Sequence, residues 1–261
     1  MVRSKTDRTG EENVNNFGSK MIISRYNNTR DIDVYFPEYD WTINHVTYGA
    51  AFKKGKIKCP YEPRVHGKGY LGEGKYKASE NGKKTKCYKV WQKMLQRCYD
   101  NKFKEKRPTY EGCEVCAEWH NFQNFAKWYE DNYYEIPGEV MNLDKDILVK
   151  GNKIYSPETC VFVPQNINTL FIKCNKSRGD YPIGVCYNKQ NGKYIPQCNV
   201  CNSKSRHLGC FDNPEEAFQV YKQYKEKYIK EVIDSYEGII PEPHYSKLKN
   251  AIYNYKVEIN D

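Results

Sequence analysis

The chain has 261 residues, 39% of them apolar and 15% aromatic, with 24 Tyr and 10 Phe, and carries a formal net charge of +9. That length favours two or three compact units, and so much aromatic surface excludes a disordered chain. No apolar run approaches the roughly 18 residues of a helical membrane span, and the opening MVRSKTDRTGEENVNN has charge with no apolar stretch behind it, so a soluble, unsecreted, cytoplasmic protein is expected.

The first fifteen or so residues are polar and unpatterned and are expected to form a mobile tail. From Met21, the stretch MIISRYNNTRDIDVYF alternates apolar and polar residues around Asn27-Asn28, which predicts a β-hairpin. A further strand is expected over His45 to Phe52. A small β-rich module then ends near residue 66 in a Pro- and Gly-rich stretch.

Thr85 can cap a helix whose apolar positions Tyr88, Trp91, Met94, Leu95 and Cys98 recur at three- and four-residue spacing. Its opposite face is basic, with Lys86, Lys89, Lys93 and Arg97. A second helix near Glu118 to Asn132 places Trp119, Phe122, Phe125, Ala126 and Tyr129 on one stripe, read as core. His120 is expected to face solvent beside Trp119.

The segment MNLDKDILVKGNKIYSPETCVFVPQNINTLF predicts a strand, a tight Gly151-Asn152 turn, a second extended piece and a brief helix, a ββα pattern. Past the polar joint at 176–180, three short strands are expected in YPIGVCYN, KYIPQCNV and SRHLGCF, separated by the turn pairs Asn191-Gly192 and Asn202-Ser203. Asp212-Asn213-Pro214 then opens a helix that runs to about Tyr236, with Glu215 and Glu216 suited to its N-terminus. Pro241-Glu242-Pro243 begins a C-terminal tail with room for one short helix.

Charge is unevenly spread. Residues 51–107 hold 18 Lys/Arg against 5 Asp/Glu, a local net of +13, which points to a polyanionic partner. Residues 111–146 hold 9 Asp/Glu against 2 Lys/Arg, a local net of −7, ending at Asp144 and Asp146, an acidic stretch suited to a divalent cation. Either run can also be a solvated face. The eleven cysteines are odd in number, and several, such as Cys98 and Cys160, sit in apolar periodic segments, which favours reduced thiols over a disulfide framework. Cys113-Glu114-Val115-Cys116 and Cys198-Asn199-Val200-Cys201 have CxxC spacing, but a shared structural zinc is not expected.

Two stretches carry a resemblance. VCAEWHNFQNFAKWY followed by NLDKDILVKGN, YSPETCVFVP and Asn168 resembles the HNH homing endonucleases encoded by phages. GVCYNKQNGKYIPQCN with RHLGCFDNPEEAFQVY resembles the three-strand-plus-helix DNA-binding domain of plant ethylene-response factors, which often follows such nucleases; the N-terminal β module also looks like their companion. The resemblance implies an α+β chain in four parts: a tail and β module over 1–66, an HNH-like ββα-metal nuclease region over 67–176, the DNA-binding domain over 177–240, and a tail over 241–261. Its implied setting is a phage-infected bacterial cell and its partner double-stranded DNA; a monomer is favoured, with the oligomeric state left open.

Carried onto this sequence, the resemblance makes Asp144 a metal ligand and Asn168 the helix ligand for Mg²⁺ or Mn²⁺, with Asp146 a further ligand or an exposed neighbour. The position of the His general base is Lys145, and that of the Asn orienting it is Thr159. Lys145 acts as a base only if its pKa is pulled far down, whereas two flanking carboxylates raise it; as a cation it can hold a phosphate. On the C-terminal sheet Tyr187, Lys189, Lys193, Tyr194, Lys204 and Arg206 are the DNA-facing candidates, with Gly184, Leu208, Gly209, Phe211 and Ala217 structural. Lys89, Lys93 and Arg97 add a basic helix face. Three readings stay open: a metal-dependent endonuclease, a catalytically inactive DNA-binding protein on the same scaffold, and a structural protein that offers its basic face to RNA or protein.

Overall fold

The computed structural model describes residues 6–172, 180–200 and 204–259, and of Lys204 the backbone alone. Helices take 33% of the described residues and strands 25%, the strands gathered in several small sheets, so the class is α+β. No helix among the described residues is long and apolar enough to cross a membrane. The chain divides into two compact units, Met1–Glu130 and Asp131–Asp261, a division that falls inside the 67–176 span.

The first unit opens with a four-stranded antiparallel sheet in sequential order: β1 (Glu12–Val14), β2 (Lys20–Asn28), β3 (Asp31–Phe36) and β4 (Trp41–Val46). Alternation puts Met21, Ile23, Ile32, Val34 and Phe36 on one face, each fully buried, over Phe52, Ile57 and Cys59. Asn28 Oδ1 accepts from Arg30 N at 2.8 Å, so the asparagine holds a turn centred on Thr29-Arg30, just past the expected Asn27-Asn28. Two expectations fail here. Residues 12–14 are a paired edge strand rather than part of a loose tail, and Arg8 and Tyr48 bond Glu11 behind it. The strand expected over 45–52 ends at Val46, because His45 has a left-handed backbone (φ 57°) and Tyr48–Phe52 coils into one wide helical turn that seats Phe52 in the core.

A two-residue hairpin, β5 (Ser79–Glu80) and β6 (Lys83–Lys84), leads into α1 (Lys86–Tyr99), whose cap is Thr85 Oγ1 accepting from Tyr88 N at 3.2 Å. Trp91, Met94, Leu95 and Cys98 are buried as the spacing predicts. After α2 (Asn101–Lys106) and a short strand β7 (Glu114–Val115), the second aromatic helix splits: a turn over Ala117–His120, then α3 (Phe122–Asn132), at whose last turn the first unit ends. Trp91 Nε1 donates to Trp119 O at 2.7 Å, and the Trp91 and Phe122 rings meet at 5.4 Å, so these aromatics are core.

In the second unit β8 (Met141–Asp144) pairs antiparallel with β10 (Val161–Pro164), and α4 (Gln165–Thr169) follows and packs on both. The partner of β8 is therefore not the piece just after Gly151-Asn152, which is the two-residue β9 (Ile154–Tyr155) within a long excursion. Val161, Val163 and Ile167 face one core, while Leu143, opposite Phe162, is buried on the other face of the hairpin. The three expected strands appear as β11 (Val185–Asn188), β12 (Lys193–Val200) and β13 (Lys204–His207), an antiparallel sheet in sequential order. Gly184 enters it at φ +74°, with any Cβ set 2.2 Å from the Tyr221 ring.

The long helix α5 (Pro214–Asp234) is capped by Asn213, whose Oδ1 accepts from Glu215 N at 2.8 Å. Its first half packs Ala217, Phe218 and Tyr221 against Val185 and Cys198 of the sheet. Its second half packs Ile229, Val232 and Ile233 against Val161, Val163 and Ile167 of the ββα hairpin. Residues 241–259 are not a tail: α6 (His244–Asn254) buries Tyr245, Leu248 and Ile252 in the same core, and Val257 N donates to Glu226 Oε1 at 3.0 Å.

Candidate functional site

The ββα hairpin carries the acidic candidates. Asp144 ends β8, and its Oδ1 accepts from the backbone N–H of Asp146 and of Ile147, each at 2.8 Å. This folds the chain back so that the Asp144 and Asp146 carboxyls come within hydrogen-bonding reach of each other. Strand alternation is not what joins them, since β8 has already ended. Burial, with the neighbouring Asp146 charge adding to it, pushes the Asp144 carboxyl up to about 6, only partly offset by the two N–H groups. Asp146 itself is exposed.

Asn142 precedes Asp144 by two residues on the same face of β8, and its Nδ2 donates to Gln165 Oε1 at 2.8 Å at the start of α4. Asn168 lies three residues further on, on the same side of that helix, half-buried. No side-chain hydrogen bond engages Asn168 among the described residues, so an amide oxygen remains for a ligand.

Lys145 and Thr159 stand elsewhere. Lys145 is 7% exposed, with its Nζ donating to Asn152 O at 2.9 Å and to Asp146 Oδ2 at 3.3 Å, and lying 5.9 Å from the Tyr155 ring centre. Asn152 reciprocates, its Nδ2 donating to Lys145 O and to Ile154 O, both at 2.7 Å. Thr159 Oγ1 donates to Ile154 O at 2.8 Å and lies 3.1 Å from Ser156 Oγ. The two residues at the base and orienting positions thus brace the excursion between β8 and β10 instead of pairing with each other. His120, expected in solvent, is half-buried with Nε2 at 3.0 Å from Tyr99 OH, and burial lowers its pKa.

On the C-terminal sheet the register sorts the DNA-facing candidates onto two faces. Cross-strand partners share a face, and buried Val185 and Cys198 mark the one covered by α5. Tyr187 pairs with Tyr194 and Arg206 with Cys198, so these three lie on the helix side; the Arg206 guanidinium sits 5.6 Å over the Tyr224 ring of α5. Lys204 has the same backbone register, but its side chain is outside the described residues. Lys193 is on the open face, bonded to Asp212 Oδ1 at 2.5 Å, and Lys189 is exposed in the turn.

The open face carries four exposed polar residues that the sequence reading passed over: Gln197 opposite His207, and Asn199 opposite Ser205. The signal was available, since counting outward from a buried Cys198 by the period of two assigns them. On α1, Lys89 and Lys93 are exposed, whereas the Arg97 guanidinium lies 5.5 Å over the Tyr110 ring.

The described cysteines, Cys113, Cys116 and Cys198 among them, are free thiols, and Cys201 lies outside the described residues. Elsewhere Asp31, Asp33 and His45 bring three ligand atoms within 4.8 Å of one another, but Arg25 already occupies them, its Nε and Nη2 bonding Asp33 at 2.5 and 2.9 Å. No family model matches the chain, and neither the curated proteins nor the solved structures compared with it include a match.

Proposed function

We propose that the chain is a metal-dependent DNA endonuclease of the HNH type, which hydrolyses phosphodiester bonds near a site bound by its flanking modules. The observation that carries this reading is the Asp144–Asp146 carboxyl pair at the end of a β-hairpin that runs directly into a helix bearing Asn168. Two carboxyls pressed together and partly desolvated favour either a shared proton or a hard cation. Asp144, Asp146 and Asn168 are the oxygen donors that would hold Mg²⁺ or Mn²⁺, which when bound supplies the positive charge that polarises a scissile phosphate.

The chain's own residues divide the remaining work. The N–H groups of Asp146 and Ile147 fix one Asp144 oxygen, so the carboxyl is oriented before any ligand arrives. Asn142 and Gln165 tie strand to helix beneath it. The Lys145 ammonium is engaged on Asn152 O and Asp146 Oδ2, so Lys145 is not the group that takes a proton from an attacking water.

DNA would lie against the open face of the three-stranded sheet, where Gln197, Asn199, Ser205 and His207 offer the donor and acceptor pairs that read base edges. The exposed Lys89, Lys93 and Lys189 supply phosphate contacts without sequence choice. Burial of Lys145 favours a second reading, a DNA-binding protein without hydrolytic activity.

Incubation with supercoiled plasmid and Mg²⁺ or Mn²⁺ separates the two. Metal-dependent nicking, lost in both Asp144→Asn and Asp146→Asn, supports the nuclease; intact plasmid with duplex binding retained in a shift assay leaves the inactive reading.

A further inference from the structure

The turn between β1 and β2 presents a phenylalanine to solvent on a stiff support. Asn15 is 4% exposed, and its Oδ1 accepts from Phe17 N at 3.0 Å and Ser19 N at 2.9 Å. Segment 52–57 is laced to this turn: Asn13 Nδ2 donates to Phe52 O at 2.8 Å, Asn16 N to Gly55 O at 2.8 Å, and Asn15 Nδ2 to Ile57 O at 3.0 Å. Phe17 itself stays 49% exposed, with the Arg64 guanidinium 5.0 Å and the Lys58 ammonium 5.7 Å from its ring centre.

A lone exposed apolar side chain is ordinary. The surroundings of this one are not. Gly55, Ile57 and Cys59 are buried while Lys54, in the turn that closes at Gly55, and Lys56 and Lys58 beyond it are exposed, so three exposed lysines alternate with buried residues along this segment. Among the described residues none of the three ammonium groups has a carboxylate partner within an ion-pair distance. Arg64 is held back from this row by Glu62 Oε2 at 3.6 Å and Cys59 O at 3.3 Å.

A row of unneutralised cations ending at a rigid, half-exposed aromatic ring matches a polyanion whose repeat carries a flat face, the chemistry of a nucleic-acid strand with its bases free. Bases stacked inside a duplex cannot reach such a ring. We propose that this ridge binds a single DNA strand, its phosphates along Lys54, Lys56 and Lys58 and one base stacked on Phe17. The inference rests on the DNA reading above and adds a site for unpaired strand in the first unit.

The full-length chain is titrated with labelled oligo(dT) and, separately, with labelled duplex. Phe17→Ala is expected to weaken oligo(dT) binding by about 5- to 100-fold, the loss of one base–aromatic stack, and to leave duplex binding unchanged. Phe17→Trp restores oligo(dT) binding, and its indole fluorescence is quenched by the oligomer. Lys54→Gln and Lys56→Gln each lower the salt slope of oligo(dT) binding by about 0.7. Oligo(dT) binding unaltered by Phe17→Ala overturns the inference, as does equal loss on duplex. Wild-type protein that binds duplex but not oligo(dT) sinks this site alone; binding to neither sinks the DNA reading with it.

Discussion

The ammonium of Lys145 donates to the backbone carbonyl of Asn152 at 2.9 Å, pointing into the protein, while the Asp144 carboxyl beside it in sequence turns to the N–H groups of Asp146 and Ile147. Adjacent residues thus serve separate tasks. Lys145→Met leaves Asn152 O without its donor and an excursion without its brace, and is expected to cost about 1–3 kcal/mol, read as a lower melting temperature. Metal-dependent nicking per folded molecule is expected to be unchanged; its loss with the fold intact makes Lys145 part of the chemistry.

Asp144 gives the protein a pH signature. Its folded pKa of about 6 lies above the ordinary 3.8, so the folded chain binds that proton more tightly than the unfolded one. The favourable contribution is complete below 3.8, shrinks as pH rises to about 6, and stays lost above. A cation must displace the same proton, so Mn²⁺ affinity is expected to rise through this window and level off beyond it. Calorimetric melts with and without Mn²⁺ across that range check both trends, and Asp144→Asn is expected to flatten them.

The two faces of the C-terminal sheet should answer differently to substitution. Gln197→Ala and Asn199→Ala on the open face are expected to lower the preference for one duplex sequence over others, by about 1–3 kcal/mol for a residue that makes a bidentate base contact, with melting temperature unchanged. Arg206→Ala, on the α5 side, is expected to lower melting temperature through its lost contact with Tyr224 and to leave sequence preference alone. Competition shift assays beside thermal melts separate the outcomes.

Gly55 tests the lacing of the first sheet. Its φ is +64°, and a Cβ there would stand 2.9 Å from Asn16 Oδ1 and 3.0 Å from Val14 O. Gly55→Ala therefore combines an unfavourable backbone with a clash against main chain, for an expected cost of about 1–3 kcal/mol. Hydrogen exchange at Asn16 N–H, which Gly55 O protects, is expected to accelerate with it.

Much of this architecture was legible because local rules and tertiary packing agreed. Thr85 followed by apolar residues at helical spacing marks α1, and Asn213-Pro214 marks α5. The short strands β11 and β12 stand out between turn pairs. What was not legible depends on partners distant in sequence. Glu12–Val14 has no apolar alternation of its own and becomes a strand only because β2 offers an edge. The partner of β8 lies beyond the Gly151-Asn152 turn, where Phe162 stands opposite Leu143, a pairing that no local turn signal marks.

The candidate site divides along the same line. Asp144 and Asn168 were readable from a motif, but motif spacing says nothing about rotamers, and Lys145 is buried because a carbonyl seven residues on can accept from it. Charge and aromaticity, the signals for the DNA-facing candidates, are blind to the strand period. Cys198, buried against α5, fixes the parity that puts Arg206 behind the sheet and Asn199 in front.

α5 also decides what can be transplanted. A recombination joint near residue 176, where the sequence looks divisible, would leave the hairpin's Val161, Val163 and Ile167 facing water without Ile229, Val232 and Ile233. It would send the sheet away with half a helix of sticky surface. The smallest heritable cassette in this half of the protein is thus the whole of Asp131–Asp261, and a chimera that keeps the acid pair while changing what the three-stranded sheet presents must swap residues on the open face, not the sheet itself.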